Sequence, residues 1–189
     1  MKLRNKIIED TVGLIYRKGY RNTSIRDIIE KSNIGKGQFY YYFSSKKEIG
    51  IEVINYIVTK WRKQLFDDIL SRSASPQNDV IKMLDWVQCF HEEQKTFYGC
   101  PVGNLITELS NEDEDFRLLL EEFIDEWINH LANKLIDIEK EEFNEEDAKK
   151  KSIEIIAAIQ GSAVLLVASQ NINYMKTILD GIKLKYIQS

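Results

Sequence analysis

Apolar residues recur at helical spacing along almost the whole chain, and no strand-like alternation survives anywhere. Leu3, Ile7, Leu14 and Ile15 form the stripe of a first helix over residues 3–18, and Gly19 stands where a left-handed C-cap residue ends such a helix. A second short helix starts at Thr23 or Ser24, whose hydroxyls suit the free N–H groups of a first turn. It carries Ile25, Ile28 and Ile29 as its apolar face and stops near Ser32-Asn33. Residues 35–43 read as a third short helix, with Phe39 and Phe43, four apart, anchoring it to a core. Ser44-Ser45 opens a fourth, spanning about 46–70, in which Ile49, Val53, Ile57, Trp61 and Leu65 recur every four residues. Arg72-Ser73-Ala74-Ser75-Pro76 predicts a loop. Beyond it the pattern predicts helices at about 78–96, 102–109, 114–140, 146–169 and 174–187, joined by linkers at 98–101, 110–114 and 141–144. The expectation is an all-α chain of about nine helices, with no internal repeat or low-complexity tract.

Composition changes this picture only by exclusion. With 189 residues, 43% of them hydrophobic and 30% charged, the chain is long enough for its own core and falls in the ordinary folded class. No basic start followed by an apolar run and a small-residue cleavage site is present, so cytoplasm is expected. The longest apolar stretch, 161–168, contains Ser162 and is far short of the roughly 20 residues of a membrane span, so no membrane partner is expected. Cys89 and Cys100 have no CxxC partner or nearby histidine pair, which predicts neither a disulfide nor a metal site. His91-Glu92-Glu93-Gln94-Lys95 begins like a zinc-protease helix but has lysine where the second histidine belongs. With His130 the only other histidine, and no GxSxG or phosphate-cradling glycine loop, neither an enzyme nor a cofactor is expected.

Charge is more informative. The net charge of −4 divides into +6 over residues 1–50 and −10 over the rest. A basic head on an acidic body is the layout of a nucleic-acid binder whose second part does something else. The segment 23–43 has the organisation of a helix-turn-helix: a capped helix, a tight turn at Asn33-Ile34-Gly35, and a second helix with distinctive content. Lys36 offers a phosphate contact, Gly37 lets a backbone approach closely, and Gln38 can hydrogen-bond a base edge. Three successive tyrosines present hydroxyls and rings, and one short helix cannot bury them all beside Phe39 and Phe43.

Gly19-Tyr20, the run Thr23-Ser24-Ile25-Arg26-Asp27-Ile28, and the run from Gly35 through Phe43, Ser44, Ser45, Lys46 and Lys47 to Glu48 resemble the DNA-binding signature of the TetR family. The resemblance spans about residues 3–65. It implies a helix-turn-helix domain over 1–48 and a helical effector-binding and dimerisation domain over 49–189. By that resemblance Lys36, Gly37, Gln38 and Tyr41 face bases or sugars. Thr23, Tyr40, Tyr42 and Lys46 hold phosphates, and Ser24 joins the DNA-facing set. Gly35 departs from the family, standing where a serine often caps the recognition helix. Tyr42 stands where histidine is common.

The same resemblance implies a homodimer on a palindromic double-stranded operator, with the last two helices pairing between subunits. The small and apolar residues of 153–168 suit that pairing. Ala157, Gly161, Val164, Leu165, Ala168, Ile178 and Ile182 are the candidate interface. The aromatic set Trp86, Phe90, Phe123 and Trp127, with Cys100, Asn104, Leu105, Glu108 and Gln160, is the candidate pocket for a small, largely apolar effector. Gly99-Cys100-Pro101 followed by Gly103-Asn104-Leu105 resembles a segment of one branch of the family, where the helix after the proline lines the ligand cavity. The expected function is a ligand-released repressor. The alternatives are a helical protein-interaction module and a thiol-based redox sensor using Cys100.

Overall fold

The computed structural model describes residues 2–71, 75–139 and 144–186, so the predicted loop at 72–76 and linker at 141–144 lie mostly outside the described residues. Among those residues the chain forms nine α-helices, one π-helical segment and no strand. The helices are α1 (Lys2–Lys18), α2 (Ile25–Ser32), α3 (Lys36–Tyr42), α4 (Lys46–Trp61), α5 (Pro76–Glu92), α6 (Pro101–Leu109), α7 (Glu114–Glu139), α8 (Glu145–Ser169) and α9 (Ile172–Tyr186). The π-helical segment, Arg62–Ile69, follows α4 without a break.

Local chemistry explains most boundaries. Gly19 ends α1 in the left-handed region at φ 83°, a conformation that glycine adopts without strain. Ser24 caps α2 in a reciprocal box: its Oγ accepts from the Asp27 N–H at 3.1 Å, while Asp27 Oδ2 accepts from the Ser24 N–H at 2.7 Å. Hydrogen bonds from Lys18 first, then from Ser24, hold the Asp27 carboxyl well below the usual carboxylate range. Asn33 ends α2 at φ 53°. Pro76 and Pro101 occupy the first positions of α5 and α6, where a missing N–H costs nothing. Asn144 caps α8 by accepting from the Asp147 N–H at 2.9 Å, and Gln170 ends it at φ 51°.

Two expectations are corrected. The fourth helix does not continue as α to residue 70. Past Trp61 the chain is π-helical, closed by the Leu70 N–H donating to the Leu65 carbonyl five residues back at 2.8 Å. An apolar repeat of four drifts about 40° per step on a helix of 3.6 residues per turn. The wider π turn keeps Leu65 and Leu70, five apart, both buried. By length and composition α8 is apolar enough to cross a membrane, something a count of consecutive apolar residues overlooks. It is a core helix: Ser152, Ile155, Ile156, Ile159, Ala163 and Leu166 are buried, and it packs on α9. The C-terminus of α5 also comes at Glu92, earlier than the periodicity predicts, where a tightened turn joins the Gln94 N–H to the His91 carbonyl at 3.0 Å.

The helices group into two compact units, each discontinuous in sequence. The first comprises residues 1–60 with 101–122, and the second 61–100 with 123–189, whereas the sequence reading places one cut after residue 48. The core of the first unit includes Ile7, Ile8, Ile15, Ile28, Phe39, Phe43, Ile49 and Val53. Gly50 belongs to it for a steric reason: a Cβ there would lie 2.7 Å from Tyr20 Cε2 and 3.1 Å from Phe116 Cζ, two rings in edge contact at 5.5 Å. The second unit buries Leu65, Phe66, Met83, Phe123, Trp127, Leu131, Ile155 and Leu179. It also buries an ion pair, Lys134 to Asp79 at 2.7 Å, with side chains 4% and 3% exposed.

Candidate nucleic-acid interface and ligand cavity

In the first unit α3 is a short helix with one anchored and one free side. Phe39 and Phe43 are fully buried, and the Arg4 guanidinium lies 5.3 Å from the Phe43 ring centre. Lys36, Gly37, Gln38, Tyr40 and Tyr41 are exposed, Tyr41 to 80%. Tyr42 is half-buried, its ring edge-on to Tyr41 at 4.9 Å. Nothing inside the chain calls for glycine at 37, since a Cβ there would meet no atom within 4 Å. The bare backbone therefore suits the close approach of an outside surface.

Gly35 supplies no side-chain cap, yet its N–H is not orphaned: it donates to Gln38 Oε1 at 3.0 Å. Glutamine three residues past a cap is the sequence signature of this return bond, which makes up in part for the missing serine. With its carbonyl oxygen engaged, Gln38 presents amide N–H groups, which suit an acceptor on a base edge better than a bidentate adenine contact.

Three residues assigned to DNA by resemblance are engaged within the unit itself. Thr23 is fully buried and its Oγ1 donates to the Gly19 carbonyl at 2.7 Å, locking the turn between α1 and α2. The hydroxyl of Ser24 serves the α2 cap. The ammonium of Lys46 donates to the Arg21 carbonyl at 3.1 Å and sits 4.4 Å from the Tyr20 ring centre, and burial lowers its pKa. The Ser24 cap is one that local sequence predicts, whereas nothing local signals the partner of Lys46, twenty-five positions away.

The acidic side of the unit was also illegible in sequence. Glu108 on α6 accepts the Tyr20 N–H through Oε2 at 2.9 Å and the Arg21 N–H through Oε1 at 2.6 Å. Arg21 Nε pairs with Glu112 at 2.6 Å, and Lys47 Nζ with both Asp113 and Asp115 at 2.7 Å. Residues 1–60 carry +6 and residues 101–122 carry −6, so the folded unit is neutral where the sequence reading saw a basic head. A triple substitution, Glu112→Gln with Asp113→Asn and Asp115→Asn, is expected to tighten binding to any duplex about tenfold at 50 mM salt, with the gain shrinking at 300 mM. Fluorescence anisotropy across salt reads this out, and an unchanged salt slope would show that these carboxylates lie outside the field felt by DNA.

The candidate pocket residues divide between the units. Asn104, Leu105 and Glu108 border a shallow cleft of the first unit together with Val12, Ile15 and Pro101, and the Glu108 carboxylate is committed to the α1–α2 turn. Trp86, Phe90, Cys100, Trp127 and Gln160 line a separate cavity of the second unit, joined there by Trp61 and His91, which sequence reading left out. Phe123 is fully buried and stacked on Phe66 at 5.4 Å, as core. The second-unit cavity leaves room for the centre of a water molecule over only about 10 Å³, its aromatic walls nearly closed on one another. Burial lowers the His91 pKa to about 4, so the imidazole is neutral at pH 7.

On the candidate interface helices, Ala157, Gly161, Val164, Leu165 and Ala168 all lie on the exposed side of α8. Val164 is 68% and Leu165 46% exposed. Ile178 is half-buried, and Ile182 is 4% exposed, turned into the chain's own core and away from that stripe.

A short helix anchored on one side and exposed on the other, in a capped helix-turn-helix followed by an all-helical chain, is the architecture used by DNA-binding regulators. Residues 7–53 match the model of the bacterial regulatory proteins of the tetR family, and residues 76–180 that of the C-terminal domain of LmrA/YxaF-like transcriptional regulators. The chain belongs to the TetR family of transcriptional regulators. It is 43% identical over 187 residues, 97% of this chain and 92% of the relative, to an HTH-type transcriptional regulator in the lacX 3' region of Lactococcus lactis subsp. lactis. It is 28% identical to the HTH-type transcriptional regulator LmrA of Bacillus subtilis, over 89% of this chain and 88% of that one. The reduced form of E. coli NemR shares the fold, with a TM-score of 0.86 at 17% identity over 97% of this chain and 96% of that one. The family's members are regulators and not enzymes.

Proposed function

We propose that this chain is a ligand-responsive repressor that binds a palindromic operator as a homodimer and is released by a small, largely apolar effector. The observation that carries the reading is the division of α3 into a buried Phe39/Phe43 side and an exposed side of Lys36, Gly37, Gln38 and Tyr41. The apolar stripe of α8, with Val164 and Leu165 open to solvent, supports pairing with a second copy, because a monomer gains nothing from exposing it. Two such copies present recognition helices to successive major grooves about 34–36 Å apart. A regulator of this kind works where the chromosome is, in the cytoplasm.

The route for the signal is covalent. The chain passes from one unit to the other within α4 at residue 60, between Cys100 and Pro101, and within α7 at residue 122. Trp61 and Cys100, both at such crossings, line the second-unit cavity. An effector that favours an opened cavity moves the start of α6 and the end of α4, and with them the head, only as far as it prefers the released state.

Capture of genomic fragments by the purified protein at two salt concentrations tests the reading. A palindrome should be enriched, with affinity falling steeply as salt rises. Tyr41→Ala, which removes a largely exposed side chain whose ring contact is with Tyr42, is expected to weaken operator binding by about tenfold or more while leaving the melting temperature within about 2 °C. Gln38→Ala is expected to change the preferred base at its position as well as affinity. Failure to enrich any sequence at low salt, with effector dialysed away, counts against DNA as the partner.

A further inference from the structure

His91 is the odd member of the second-unit cavity. It is 3% exposed, and its Nδ1 is buried without a hydrogen-bond partner among the described residues. Folded proteins rarely leave such an atom unmatched, because it has given up water for nothing. Around it stand all three tryptophans of the chain, Trp61, Trp86 and Trp127, with Phe90. Trp86, Phe90 and Gln160 are the half-buried members, so the cavity opens on their side, whereas His91, Trp61 and Trp127 form its closed end. None of the lining residues among the described ones is Asp, Glu, Lys or Arg, so an ion entering the cavity would lose its hydration with no opposite charge there to replace it.

Resting on the effector reading above, we propose that His91 Nδ1 is the polar recognition point of this cavity, which takes an uncharged, flat aromatic molecule carrying one hydrogen-bonding group. The aromatic walls supply offset and edge contacts to a ring, and the single unmatched imidazole nitrogen fixes which edge of the ring enters first. The neutral state of His91 at pH 7 lets Nδ1 act as acceptor in one tautomer or as N–H donor in the other. Because the walls stand almost closed, binding requires Phe90 and Trp86, the side chains at the mouth, to turn aside.

Calorimetric titration of the full-length protein at pH 7.5 with size-matched bicyclic probes tests this. Indole offers a donor, quinoline an acceptor, indene neither, and 2-indanylammonium and indane-2-carboxylate carry charge. Indole or quinoline is expected to bind about tenfold tighter than indene, and both ions more weakly than indene. In His91→Phe, and in His91→Leu as a second variant should the first fold poorly by circular dichroism, indene binding should persist and the polar preference should fall to about twofold or less. Equal binding of the three neutral probes to the native protein, a polar preference that survives both variants, or tighter binding of either ion overturns the role of His91 while leaving the effector cavity in place. Binding of no probe at millimolar concentration, with operator binding intact, overturns the effector cavity itself.

Discussion

Lys134→Met is expected to lower stability by about 3–5 kcal/mol, the largest effect of any single substitution considered, because it leaves the Asp79 carboxylate buried without its cation. The Lys134 ammonium also donates to the Ser71 carbonyl at 2.6 Å, so one truncation removes a donor from two acceptors. At the size of this chain, a change of that magnitude moves the melting temperature by about 10 °C. The double variant Lys134→Met with Asp79→Leu should be more stable than Lys134→Met alone, since it removes the stranded charge together with its partner. Urea unfolding of the native protein, both singles and the double, at one fixed protein concentration, decides it. A loss below about 1 kcal/mol in Lys134→Met would mean that water reaches Asp79 on replacement.

The second large effect is acid sensitivity centred on His91. Its pKa falls from the ordinary 6.5 to about 4 through burial, so the unfolded chain binds more protons than the folded one between those values. Stability therefore rises with pH across the window and is lost as pH falls from about 6.5 towards 4. The loss is about 2 kcal/mol by pH 5 and approaches about 3 kcal/mol below pH 4. His91→Phe lacks the titrating group, so the native protein should lose about 2 kcal/mol more than the variant between pH 7 and pH 5. Parallel loss in the two proteins would show that the imidazole is solvated. Carboxylates held low by partners, such as Asp27 and Glu48, give up their contributions only at more acidic pH, which keeps the two effects apart.

What sequence reading captured and what escaped it follow the range of the interactions. The caps of α1 and α2, the anchors Phe39 and Phe43, and the exposed face of α3 depend on neighbours within about four residues, and spacing alone displays those. Thr23 illustrates the limit: its hydroxyl reaches back four residues to Gly19 instead of outward, and only the geometry of the turn decides which. Glu108 shows a longer range, since its partners at Tyr20 and Arg21 are nearly ninety positions away. His91 reads in sequence as no more than an incomplete metal-ligand motif, because a lone histidine on a helix gives no sign that tryptophans from three helices will surround it. The π-helical stretch after Trp61 had a trace in the strict four-residue repeat, but that repeat is equally the mark of an ordinary amphipathic helix.

The discontinuous first unit bears on how such regulators can be recombined. Splicing a new DNA-reading segment onto this body at residue 48 would carry away Tyr20, Arg21 and Lys47 but leave behind Gly50, Glu108, Asp113 and Phe116, which hold them. The body would keep Glu108 and Asp113 without the N–H groups and the ammonium that they hold, and Phe116 without its ring neighbour. A chimera that keeps this unit's own contacts has to exchange residues 1–60 and 101–122 together, so that the helix-turn-helix and its support are inherited as two separated stretches of gene and not as one.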